Sequence, residues 1–261
     1  MISRNIDKAR SSFAVDDLEA SRRAHDSGEG GEPHRAGGGQ YIKSFVYGGL
    51  DGTITTFAVV AGVAGASLST SVILILGFSN LLADGIAMAF GDFLSTRAEQ
   101  HYAAGERCRE EWELENYPDG EKQELREVYE EKGLSAEDAT VIVDILVKHP
   151  KVMIDTMMVE ELGILETHQS PIMNGVVTFL SFAIFGFVPL LVFVLIRVTG
   201  MELDAMPWAC GLTGMTLFCL GVLKGRFSMV LWWRSGIEML VLGGIAASAA
   251  YYVGKALESL A

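Results

Sequence analysis

The chain has 261 residues, half of them apolar, with 33 acidic against 20 basic side chains and a formal net charge of −13. An excess of that sign excludes nucleic-acid binding, which needs a basic surface. The mean hydropathy is +0.31, and the apolar residues lie in long blocks where a soluble domain would interleave them with charge. Blocks of about 18 or more apolar residues read as membrane spans.

Residues 1–40 are polar, carry Gly37-Gly38-Gly39 near their end and contain no apolar run of signal-peptide type. They read as a disordered cytosolic tail. Five spans follow, at Ile42–Ala66, Ser71–Leu94, Ile172–Ile196, Trp208–Leu223 and Ile237–Leu257. Each is near the roughly 20 residues that a helix needs to cross the hydrocarbon core, and the fourth is the shortest. Between spans two and three, span two is expected to run on as a long helix, because Pro118 is the first strong break. Pro118-Asp119-Gly120, Lys132-Gly133 before Ser135, and His149-Pro150 then separate further helices. Ser135-Ala-Glu-Asp138 reads as a capping box.

The expected fold is therefore all-α: a polytopic membrane protein with five transmembrane helices and a cytosolic helical domain inserted between spans two and three. The boundaries are 1–40 for the tail, 41–96 for spans one and two, 97–170 for the inserted domain and 171–261 for spans three to five. Cys108, Cys210 and Cys219 make no CxxC pair, so no disulfide scaffold is expected. Orientation follows from the short loops. The loop near Gly65–Ser71 carries no charge, whereas Arg22, Arg23, Arg35 and Lys43 precede span one and Lys224, Arg226 and Arg234 separate spans four and five. The basic side is the cytosolic side; Arg197 is the one dissenting charge.

Ionisable groups at membrane depth are costly and mark pathways. Span one holds Asp51 within Tyr47-Gly-Gly-Leu-Asp-Gly52, where the glycines allow close helix approach or local unwinding. In span two, Asn80, Asp84, Met88 and Asp92 recur every fourth residue and so form one stripe. Oxygen donors with one thioether suit a borderline divalent metal better than Mg²⁺ or Ca²⁺.

Residues 97–171 hold 19 of the acids against 8 basic residues, a formal −11 in one segment. Glu106, Glu110 and Glu113 share one helical face, as do Glu121, Glu124 and Glu127. Met157 and Glu161 stand one turn apart with Met158 beside them. Like charges one turn apart repel, so such faces need basic neighbours or bound cations. Carboxylates with thioethers suit Fe²⁺ or Mn²⁺. His101, His149 and His168 lack ligand spacing.

Tyr47-Gly-Gly-Leu-Asp-Gly52, the run through Gly85-Ile-Ala-Met88, the Glu-rich stretch 99–124 and Asp155-Thr-Met-Met-Val-Glu-Glu-Leu-Gly163 together resemble the vacuolar iron transporter family. With Pro189 and Trp232-Trp233-Arg234, the resemblance covers about residues 41–257. It implies a homodimer of five-span protomers that exchanges cytosolic Fe²⁺ for protons from a vacuole-like compartment. It implies that Asp51 and Met88 lie on the translocation path at the dimer interface. It further implies that Glu110, Glu113, Glu121, Glu124, Met157, Met158 and Glu161 form a cytosolic metal-binding domain. Plant members carry glutamate where this chain has Asn80, so proton coupling passes to Asp84 or Asp92.

The expected function is thus a secondary transporter of Fe²⁺, with Mn²⁺, Co²⁺ or Zn²⁺ as further cargo, no tightly bound cofactor, and no enzyme activity. The rival readings are a ferritin-like membrane protein that oxidises or stores iron, and a Mn²⁺-preferring exporter. A di-iron oxidase would show paired Glu-x-x-His motifs, and the acidic segment has none.

Overall fold

The computed structural model describes residues 17–19, 41–165, 169–227 and 231–258. Apart from 17–19, the expected disordered tail lies outside the described residues. Among those residues the ordered elements are eight helices and no strand: α1 Ile42–Gly65, α2 Thr70–Asn116, α3 Pro118–Glu131, α4 Ala136–Leu146, α5 Pro150–Glu160, α6 Pro171–Thr199, α7 Ala205–Phe227 and α8 Trp232–Leu257. Five of these, α1, α2, α6, α7 and α8, are long and apolar enough to cross a membrane.

Local chemistry sets the breaks. The 47-residue α2 ends where Tyr117, at φ −140°, precedes the proline that opens α3, since a residue before proline is driven out of the helical region. Pro150 opens α5 in the same way after His149. Ser135 caps α4, its Oγ accepting from the Asp138 N–H at 3.1 Å. The fourth apolar helix is longer than Trp208–Leu223. Asp204 Oδ1 accepts from the Met206 N–H at 3.2 Å, and Pro207 sits in the first turn, where a missing N–H costs nothing.

The chain forms two compact units, residues 1–85 with 180–261, and residues 86–179. In the first unit Phe57, Val60, Val63, Ile73, Leu190, Phe193 and Ala209 form a core shared by α1, α2, α6 and α7. Phe45 and Phe185 meet edge to face at 5.5 Å. Helices that cannot use water exclusion inside lipid rely on close contact through small residues. At Gly52 a Cβ would stand 2.4 Å from the Phe182 carbonyl oxygen, and at Gly254 it would stand 2.0 Å from that of Gly62. Ile75 and Ile245 are 65% and 63% exposed, as side chains facing lipid would be.

The second unit is built from Ile86 onward on α2, from α3, α4 and α5, and from α6 as far as Phe179. Leu125, Val143, Met153 and Met157 form one buried cluster, and Ala103, Ile154 and Met158 form another, with Leu114 packed against both. Arg107 pairs with Asp155, Arg126 with Asp144, and Lys132 with Glu160.

Candidate metal sites

Asn80, Asp84, Met88 and Asp92 are all half-buried along α2, whereas Leu82, Ile86, Phe90 and Leu94 are exposed. The helix therefore presents the polar stripe on a different side from its apolar ridge. In the first unit Asp51 lies near enough to Asp84 for the two carboxylates to repel. The Asn80 Nδ2 group is buried with no hydrogen-bond partner. In the second unit Asp92 is tied to α6, its Oδ2 accepting from Thr178 Oγ1 at 2.5 Å. Below it Thr96 Oγ1 donates to the Asp92 carbonyl at 2.9 Å and accepts from Asn174 Nδ2 at 2.8 Å. Spacing could not reveal this ladder. Its only trace in the sequence is the presence of Thr96, Asn174 and Thr178 near apolar runs.

The acidic faces converge further along the second unit. Each of Glu110, Glu113 and Glu121 offers an oxygen, and these lie within 4.8 Å of one another. Glu110 and Glu113 share a face of α2, and Glu121 comes from the first turn of α3, just after the Tyr117 break. Glu110 is 1% exposed and Glu121 3%. Both oxygens of Glu110, Oε2 of Glu121 and Oε2 of Glu161 are buried with no hydrogen-bond partner of good geometry. Buried carboxylates in that condition are costly as anions and call for a proton or a cation.

The protonation follows from the same arrangement. Burial, then the charges of Glu110, Glu124, Glu113 and Glu161, push the Glu121 carboxyl up to about 7. Burial is also the main cause that raises Glu110, with Arg109 pulling the other way, and the main cause that raises Glu161. A protonated Glu121 can donate to Glu110, supplying the donor that Glu110 otherwise lacks. Glu124 is exposed but close enough for its charge to act on Glu110, Glu121 and Glu161. Five carboxylates thus behave as one electrostatic group.

Not every acidic residue of the two faces joins it. Glu127 turns to the surface, accepting from Gln123 Nε2 at 2.7 Å, and Glu106 takes a hydrogen bond from Arg109 Nε at 2.9 Å. Met157 and Met158 are 0% and 1% exposed and lie in the two apolar clusters that share Leu114. Glu161, at the C-terminal end of α5, donates its N–H to the Met157 carbonyl at 3.0 Å. The thioethers are thus part of the apolar packing of this unit. The sequence signalled that the acidic faces need a compensating cation but not that Arg109 would supply one.

Residues 42–255 match a family model described as the VIT family. The vacuolar iron transporter of Toxoplasma gondii is 43% identical over 269 residues, covering 98% of this chain and 89% of its own length. That of Plasmodium falciparum is 33% identical over 272 residues, covering 99% and 98%. The vacuolar iron transporter 1 of Arabidopsis thaliana is 30% identical over 221 residues, covering 84% and 87%.

Proposed function

The chain belongs to the VIT family, and from that premise we propose that it carries Fe²⁺ from the cytosol into a vacuole-like compartment in exchange for protons. The relatives' names and the five membrane-length helices support iron transport through an integral membrane protein of a vacuolar membrane. The observation that carries the mechanism is the set of buried carboxylate oxygens on Glu110, Glu121 and Glu161 that have no hydrogen-bond partner of good geometry.

In this reading residues 97–170 are a cytosolic collecting module. Glu110, Glu113, Glu121, Glu124 and Glu161 offer oxygen, and Met157 and Met158 add thioethers that favour Fe²⁺ or Mn²⁺ over Mg²⁺ and Ca²⁺. Methionine has three rotatable bonds and a polarisable sulfur, which lets these side chains adapt to a bound ion. A divalent ion entering the cluster displaces the Glu121 proton, because ligands must be deprotonated. The basic residues Lys43, Lys224 and Arg234 mark the same cytosolic side.

From the module the ion passes to Asp51 and Met88, with Asp51 of two protomers facing each other across a homodimer. Asn80 cannot ionise, so proton exchange falls to Asp51 and Asp84, whose charges already act on each other. Asp92, held by Thr178, lies on the path as a fixed carboxylate.

The test is Fe²⁺ uptake by the full chain in sealed proteoliposomes under an imposed pH gradient. Uptake is expected, with Mn²⁺, Co²⁺ and Zn²⁺ as competitors that rank the cargo, and Asp51→Ala is expected to reduce it to background. Wild-type uptake by Asp51→Ala would overturn the pathway. Failure to carry any divalent ion would overturn the transport reading itself.

A further inference from the structure

The acidic cluster is not bare. Arg109 stands beside Glu110 on α2 and reaches three carboxylates at once. Its Nε meets Glu106 Oε2 at 2.9 Å, its Nη1 meets Glu113 Oε2 at 2.5 Å, and its Nη2 meets Glu110 Oε1 at 2.6 Å. The first two contacts are hydrogen bonds. The third is ionic only, for neither oxygen of Glu110 has a hydrogen-bond partner although the residue is 1% exposed. A guanidinium is planar and its N–H groups leave it in a fixed fork. Placed to hydrogen-bond Glu106 and Glu113, it is not aligned on Glu110 in this geometry.

A metal ion has no such fork. It can take oxygens from Glu110, Glu113 and Glu121 together, and these already lie within 4.8 Å of one another. Two of those three residues are the ones that Arg109 holds. The same carboxylates therefore face two claimants, a guanidinium already among them and any cation that would bind there. Arg109 also has somewhere to go. Its side chain is 44% exposed, and Glu106, which is outside the group of three, can retain it at the surface.

We propose that Arg109 is a tethered counter-ion of the acidic site: it neutralises Glu110 and Glu113 in the metal-free protein, and a divalent cation must displace it to bind. This rests on the reading of the cluster as the collecting site. The displacement lowers affinity, which suits a module that must release its ion to a path. It also keeps the metal-free cluster from repelling itself open.

The experiment is a calorimetric titration of Co²⁺ into the purified full chain in detergent, comparing wild type with Arg109→Gln and Arg109→Lys. Arg109→Gln is expected to bind about tenfold more tightly, which corresponds to about 1.4 kcal/mol. Arg109→Lys is expected to fall between, since an ammonium keeps the charge without the fork. Metal-free Arg109→Gln should melt below wild type, and Co²⁺ should raise its melting temperature by more than it raises that of wild type. An arginine that merely braced the fold would give the opposite sign in binding.

Equal or weaker Co²⁺ binding by folded Arg109→Gln overturns the proposal; should that variant not fold, absence of tightening in Arg109→Lys overturns it instead. Glu110→Gln separates the two readings. If it binds Co²⁺ as wild type does, the ion is not held at this cluster and the collecting-site reading fails. If it loses affinity while Arg109→Gln gains none, only the counter-ion role fails.

Discussion

Replacing Glu121 by glutamine should stabilise the metal-free second unit at alkaline pH, although it removes a buried side chain's charge. In the unfolded chain this carboxyl titrates near 4.5, and in the folded protein near 7. A folded group whose pKa is raised keeps its proton to higher pH than the unfolded chain does. Its stabilising contribution is complete below 4.5 and is lost as pH rises through about 7. The gap corresponds to about 3 kcal/mol, and to about 2 kcal/mol once the neighbouring carboxylates relax and share the proton. Glutamine is neutral throughout and escapes this loss. Hydrogen exchange of amides in α3, measured on the full chain in detergent, reports the local opening free energy. At about pH 8 the variant is expected to exchange about 30-fold more slowly than wild type, and at about pH 4 the two should match. Added Co²⁺ should reverse the order, protecting wild type more. A variant that exchanges as fast as wild type at the alkaline end, or that differs equally at both, would refute the reasoning.

Met157 is fully buried, so Met157→Ala should cost about 2–5 kcal/mol in thermal unfolding. Met157→Leu conserves volume and should cost less than about 1.5 kcal/mol, yet it removes the thioether. Weaker Co²⁺ binding with a smaller fall in melting temperature than Met157→Ala shows is expected, and unchanged binding would take Met157 out of the ligand set. Gly52→Ala places a methyl 2.4 Å from the Phe182 carbonyl oxygen, forces α1 from α6, and should lower stability by about 2 kcal/mol or more. Gly91→Ala, with nothing within 4 Å of its new Cβ, is the control and should not lower the melting temperature, since alanine is the better helix former.

The spans and the helix breaks were legible because their causes are local. Long apolar runs at Ile42–Gly65 and Pro171–Thr199, prolines at 118 and 150, and a serine cap at 135 each act within a few residues of themselves. The start of α7 was missed because Asp204 and Pro207 act together, one supplying a donor's partner and the other needing none. At the candidate sites the residue types were readable, since Glu110, Glu113 and Glu121 fall on faces set by helical periodicity. Which neighbours would meet them was not. Arg109 is the local exception, since it reaches Glu106 and Glu113 three and four residues away on its own helix. That Thr178 meets Asp92 from a helix far along the chain and that Met157 and Met158 fill apolar clusters both depend on tertiary packing. Periodicity places a side chain on a face without saying what that face touches.

The acid excess of residues 97–171, 19 against 8, has an effect that begins before any ligand bond forms. Arg107, Arg126 and Lys132 are each turned to an acid of their own, so the surplus is left to the surrounding solution. Its field enriches cations, and a doubly charged one gains twice the energy of K⁺ at every point within a Debye length, about 8 Å in physiological salt. The encounter rate with a divalent cation therefore rises above that of a neutral surface and falls steeply as ionic strength grows, while the strength of the bound state changes far less.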